Sequence, residues 1–236
     1  MLLRQGLMSC KRLARGSAHT AAQSLAPAVV GSPAPSDSAV TTIVYPGCRV
    51  IELSDVPNGN PIRMDMLSQI SLKLGHFENN TSVSVVLFTA ALNPELHDDN
   101  VFSVGFADTP NEELLDRAQS LAKTVFSHKT ITLAVYEGYT AGTAFGLFAG
   151  SKYRLGSCNT QLQLSELRHG FLPLGGLAYH FCKGSKDGIA FARYVGATQR
   201  ILEAGELFSL GLISHAVPQE CHPVLFHGLG HTLAET

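Results

Sequence analysis

Tryptophan is absent from this chain, and charged residues make up only 15% of it. With a net charge of −2, the sequence gives no basic surface for gripping nucleic acid. Nor does any stretch approach the roughly 20 consecutive apolar residues of a membrane-spanning helix, although hydrophobic residues reach 45%. The five cysteines, Cys10, Cys48, Cys158, Cys182 and Cys221, are scattered, odd in number and without a CxxC pair. That pattern points to free thiols in a reducing compartment and away from a disulfide framework. Acidic residues are missing altogether before Asp37.

What the first segment does contain is Arg4, Lys11, Arg12 and Arg15, set among Leu2, Leu3, Leu7, Met8 and Leu13. An arginine-rich, acid-free, amphipathic start is the composition of a mitochondrial presequence; a secretory signal would need an unbroken apolar block after the charges. Residues 26–38, rich in Pro, Ala and Ser, read as a linker. The expected organisation is therefore a presequence and linker over residues 1–38, then one folded domain over residues 39–236. The expected location is the mitochondrion, in the matrix or on the matrix side of the inner membrane. With 236 residues in all, there is enough chain for one sizeable core.

Within the folded part, strands alternate with helices. "TTIVYPGCRVIEL" predicts a hairpin turned at Pro46-Gly47. Asn60-Pro61 predicts a helix start, with Met66, Leu67, Ile70, Leu74 and Phe77 on one face. "VSVVLFTAA" is continuously apolar, as a strand buried on both faces should be. Thr109-Pro110-Asn111-Glu112 has the spacing of a capping box and predicts a helix whose Leu114, Leu115, Ala118, Leu121, Ala122 and Val125 form a core stripe. "ITLAVYEG" is a further buried strand. The class is α/β with a parallel-type core and no internal sequence repeat.

Four blocks follow one another in a particular order: "VFSVGFAD", "VYEGYTAGTAFGL", "LSELRHGFLPLGG" and "LEAGELFSLGLISHAV". Together they resemble the enoyl-CoA hydratase/isomerase (crotonase) superfamily, nearest in pattern to its 3-hydroxyisobutyryl-CoA hydrolase and enoyl-CoA isomerase branches. The resemblance covers residues 41–217. It implies a crotonase-like (ClpP/crotonase) spiral of ββα units, with a coenzyme A thioester as substrate if the protein is active, and no other cofactor. It also implies two backbone N–H donors for the thioester oxygen, a type of contact that usually supplies the largest catalytic effect. By match these are Phe106, after the glycine of "FSVGFAD", and Thr143, the middle residue of a turn that is "GGG" in the family and Gly142-Thr143-Ala144 here.

The acid–base positions depart from the pattern. Hydratases of this family use two glutamates. The first falls here on Gly146, and the second falls on Glu166 of the Ser165-Glu166 pair. The hydrolase branch pairs the later glutamate with an Asp after "FP", where this chain has Leu174. Glu166 is the one carboxylate left. It could serve alone as the base of a Δ3,Δ2-enoyl-CoA isomerase, or be a structural carboxylate after a strand. The matched regions assign no lysine or arginine to the coenzyme phosphates; Lys152, Arg154, Lys183 and Lys186 are candidates by neighbourhood alone.

The family also continues past "GLISHAV" with helices that cover the site and build oligomers, whereas this sequence ends at Thr236 with a Gly- and His-rich tail. The expectation is no stable helix there, and an apolar face at Leu202, Leu207, Phe208 and Leu210 in need of cover from protein partners. Cys221, His222, His227 and His231 are metal-ligand types but complete no site. Two readings follow. In one the protein is a mitochondrial acyl-CoA enzyme with Glu166 as base. In the other it has kept the fold, lost catalysis, and serves as a subunit of a homo- or hetero-oligomer or a larger mitochondrial assembly such as a respiratory complex or the mitoribosome. The replaced residues favour the second.

Overall fold

Strands β1 (Val40–Tyr45) and β2 (Cys48–Leu53) form the expected antiparallel hairpin, turned at Gly47 with φ +68°. The computed structural model describes residues 39–92, 100–107, 109–172, 174–184 and 188–232. Residues 1–38, expected to be a presequence and linker, lie outside the described residues.

From β2 onward the chain repeats one gesture. A strand enters a large parallel sheet, a short strand enters a second sheet, and a helix returns. Thus β3 (Val85–Ala90) and β4 (Val101–Ser103) precede α2 (Glu112–Ser127), while α1 (Met64–Glu78) closes the unit before them. Next, β5 (Ile131–Tyr136) and β6 (Tyr139–Ala141) precede α3 (Gly142–Phe148). Then β7 (Tyr153–Gly156) and β8 (Gln161–Gln163) precede a 3-10 turn (Ser165–His169) and α4 (Leu177–Gly184). The chain continues through α5 (Gly188–Thr198), β9 (Leu202–Glu203), α6 (Ala204–Ser209), β10 (His215–Ala216) and α7 (His222–Thr232). The large sheet runs β1-β2-β3-β5-β7-β10, parallel except for the hairpin; the small one runs β4-β6-β8-β9. This is the spiral of ββα units.

Every residue of β3 is buried, because both faces of the large sheet are covered. Val86 and Phe88 face the main core, and Val85 and Leu87 face a second cluster on the other side. Two local expectations are corrected. Helix α1 begins at Met64 and not at Pro61, because Asn60 turns the chain at φ +52° first. Helix α2 is capped by Asn111, whose Oδ1 accepts from the Leu114 N–H at 2.9 Å, so Thr109 is not the cap.

The C-terminal expectation also fails. Residues 222–232 are helical despite Gly228 and Gly230. Each glycine costs about 1 kcal/mol relative to alanine. Against this, Leu225, Phe226 and Leu229 pack on the outer cluster of Cys48, Val50, Val85, Leu133 and Val135. Roughly 1 kcal/mol for each half-buried apolar side chain offsets that cost. The supposed open face at α6 is largely closed as well: Leu202 and Leu207 are fully buried, Leu210 is buried, and only Phe208 remains exposed. Among the described residues no helix is long and apolar enough to cross a membrane.

Candidate active site

Helix α3 is only seven residues long and buried throughout. Its first N–H groups therefore point into protein and need acceptors there. The register supplies one. Strand β6 pairs in parallel with β8, placing Ala141 beside Gln163, so the turn after β8 arrives next to the start of α3. Glu166 stands in that turn, and its Oε1 accepts a short hydrogen bond from the Thr143 N–H. Glu166 is 5% exposed, and its Oε2 has no partner. A Cβ on Gly142 would lie 2.7 Å from Oε2 and 2.9 Å from Leu164 Cδ2. A glycine at 142 is thus what lets the carboxylate reach the backbone.

The opposite wall is set by Gly105, at φ +92°, where the chain turns after β4. Its N–H donates to Ser103 Oγ at 3.2 Å and its carbonyl accepts from the Ile62 N–H at 2.7 Å, bridging Ile62 to Phe106. Between the walls lies a cleft of about 270 Å³, lined among others by Phe106, Ala107, Ser165, Glu166 and Phe171. Phe106 and Glu166 thus share one cleft. Thr143 does not line it; the carboxylate stands on its N–H, and its own hydroxyl is buried without a partner.

Gly146, where hydratases carry the first glutamate, is closed by main chain. A Cβ there would meet the Leu174 carbonyl oxygen at 2.2 Å, and one on Gly175 would meet the Gly146 carbonyl carbon at 2.3 Å. The two positions at which relatives carry the missing acids, 146 and 174, are therefore pressed together through their backbones. Gln119 on α2 fixes this contact by accepting from the Gly175 N–H at 3.2 Å. Phe145, one residue after the Gly142-Thr143-Ala144 turn, points away into the core. It stacks on Tyr136 at 4.1 Å, and the Tyr136 hydroxyl donates to its carbonyl at 2.9 Å.

Of the remaining nominated groups, Lys186 lies outside the described residues, and Arg154 and His222 lie away from the cleft. Arg154 donates to the carbonyls of Leu212 at 2.8 Å, Ser151 at 2.9 Å and Gly211 at 3.1 Å, tying β7 to the turn before β10. His222 is buried and stacks on Phe226, and burial lowers its pKa. Among the described residues no group of three His, Cys, Asp or Glu could hold a metal ion. Sequence reasoning missed Phe171 and the carbonyl of Leu174. The "FLPLGG" run at 171–176 gave no sign that its backbone would abut α3.

The model of the enoyl-CoA hydratase/isomerase family matches residues 48–236, and the chain belongs to that family. No curated protein matches it. Among solved structures it is similar to an enoyl-CoA hydratase from Mycobacterium avium subsp. paratuberculosis (18% identity, 86% of this chain and 80% of that one, TM-score 0.71). It is similar also to an enoyl-CoA hydratase from Bacillus anthracis (17%, 84% and 77%, TM-score 0.70). A methylmalonyl-CoA decarboxylase shares 14% identity over 85% of this chain and 76% of its own, with a TM-score of 0.70. At these identities the likeness is one of fold.

Proposed function

We propose that this protein is a catalytically degenerate crotonase-fold protein that acts as a structural subunit of a larger mitochondrial assembly. The observation that carries the proposal is the hydrogen bond from the Thr143 N–H to Glu166. The group that would receive a thioester oxygen is already satisfied by Glu166, the only carboxylate among the described residues that line the cleft. An oxyanion donor contributes to catalysis only when aimed at the position where charge develops. Closure of the main chain over Gly146 supports the same reading, since a second acid–base group has no room there. Exposed Leu72, Leu172 and Ile189, at 77%, 75% and 58%, are apolar points at which protein partners could dock.

A second reading rests on the unpartnered Oε2 of Glu166 at the cleft wall. On that reading Glu166 swings off Thr143 when a 3-enoyl-CoA enters, and acts as the single base of an isomerase, with the Phe106 and Thr143 N–H groups holding the thioester oxygen. One paired experiment decides. The native particle is sized in mitochondrial extract, and the purified full chain is assayed with a 3-enoyl-CoA. Migration far above the mass of a small oligomer without turnover supports the subunit. Turnover abolished by Glu166→Gln supports the isomerase, and absence from mitochondria overturns the proposed location.

A further inference from the structure

A second cavity opens beyond the contact of Gly146 with Gly175. It lies between α2, the turn after α3 and the start of α4, and encloses about 560 Å³. Its walls are mostly apolar, with Ala122, Phe126, Gly175, Gly176 and Tyr179 among them. At Phe126, Gly150 and His180 it runs into a smaller cavity of about 320 Å³, reached by Ser151, Lys152, Arg154 and Lys183. Among the described residues neither cavity shares a wall residue with the cleft that holds Glu166. The volumes are those of small-molecule sites.

The polar end is unusual in what it leaves open. Ser151 is 1% exposed, and its Oγ has no hydrogen-bond partner. A buried hydroxyl without a partner is costly, by about 1–3 kcal/mol. Lys152 and Lys183 rest 5.6 Å over the rings of Tyr153 and Tyr179, and neither joins an ion pair among the described residues. Arg154 adds positive charge while its donors hold backbone carbonyls. Among the described residues no acidic side chain lines either cavity. Burial beside Arg154 and Lys183 lowers the pKa of His180 to about 4, so at neutral pH it is an uncharged polar wall.

We propose that the joined cavities bind a fatty anion, with its hydrocarbon tail along Ala122, Phe126 and Tyr179 and its carboxylate at Lys152, Lys183 and the Ser151 hydroxyl. Each methylene of a buried tail contributes about 0.8 kcal/mol. The two ammonium groups and the hydroxyl select an anionic head over a neutral one. The inference is independent of whether the Glu166 cleft is active.

The absence of tryptophan from the chain gives a clean probe. Phe126 is 63% exposed, and Phe126→Trp places one indole at the junction of the two cavities. Dodecanoate titrated into the full-length F126W chain shifts its emission saturably at one ligand per chain. Dodecanol, with the same tail and no charge, binds about tenfold more weakly, as does dodecanoate to the variant that also carries Lys152→Glu and Lys183→Glu. Both lysines are exposed, so the melting temperature of that variant stays unchanged; calorimetric titration of unlabelled wild type and Lys183→Gln gives the same ordering without the probe. No saturable shift, equal binding of dodecanol, or equal binding by the charge-reversed variant overturns the proposal. So does co-sedimentation with anionic phospholipid vesicles in place of dodecanoate binding.

Discussion

The two ends of α3 are built in opposite ways. At its start, the backbone donor is taken by the same chain and the neighbouring position is closed: Glu166 holds the Thr143 N–H and Leu174 covers Gly146, while Glu166 Oε2 and the Thr143 hydroxyl keep no partner. Past its end, a hydroxyl is buried without a partner and two ammonium groups stand without carboxylates among the described residues. The first end is where the family's motifs place the thioester, and here its backbone donor is occupied by Glu166. The second has no counterpart among the family's motifs, and its two ammonium groups join no ion pair among the described residues. Retained fold and retained site are therefore separate properties, as expected when function resides in particular side chains and not in topology.

The largest expected effect comes from trying to reopen the first end. Gly146→Glu should not restore hydration. Its Cβ would lie 2.2 Å from a backbone oxygen, which cannot step aside as a flexible side chain would. Overpacking of this kind costs about 3 kcal/mol or more, and denaturant unfolding measures it. A stable G146E protein that adds water to crotonyl-CoA would break the comparison.

Smaller, and sharper, is the effect of removing the plug. Glu166→Ala leaves the Thr143 N–H buried without an acceptor, a loss of about 1–3 kcal/mol. Glu166→Gln keeps an acceptor oxygen and should lose less. If E166A proves more stable than wild type in urea, the carboxylate is held against its own preference, as a catalytic group often is.

The smallest effect is at the open end. His180 has its pKa lowered to about 4 by burial, with Arg154 and Lys183 adding to the effect. The unfolded chain then binds more protons than the folded one between about pH 4 and the ordinary value near 6.5. Stability contributed by the neutral imidazole is present above 6.5 and is lost as pH falls through that window. His180→Gln should flatten the acid side of the melting-temperature profile while leaving neutral pH unchanged. His222 shifts in the same direction, so some slope remains.

Much of this was legible in the residues. The apolar run at Val85–Ala90 announced a strand covered on both faces, and Met66, Leu67, Ile70, Leu74 and Phe77 announced the buried side of α1. Pattern suffices there because burial acts on whole faces. The ordered motif blocks also located Phe106 and Glu166, which do share a cleft. What was hidden depends on single contacts between distant segments. Gly146 could be read as a lost carboxylate but not as a surface for Leu174, 28 positions on in the sequence. Helix α7 was hidden for a related reason. Its glycines speak locally against a helix, while the packing of Leu225, Phe226 and Leu229 on the sheet comes from strands far back in the chain.

The central claim is that Glu166 occupies the oxyanion position, and thioester binding tests it most directly. Crotonyl-CoA is titrated calorimetrically into the wild-type chain and into E166A. The account predicts no saturable binding to wild type below millimolar concentration, and measurable binding to E166A, where the Thr143 N–H is released to the thioester oxygen. Micromolar binding to wild type that weakens in E166A would contradict it, because Glu166 would then be a partner of the thioester and not its substitute.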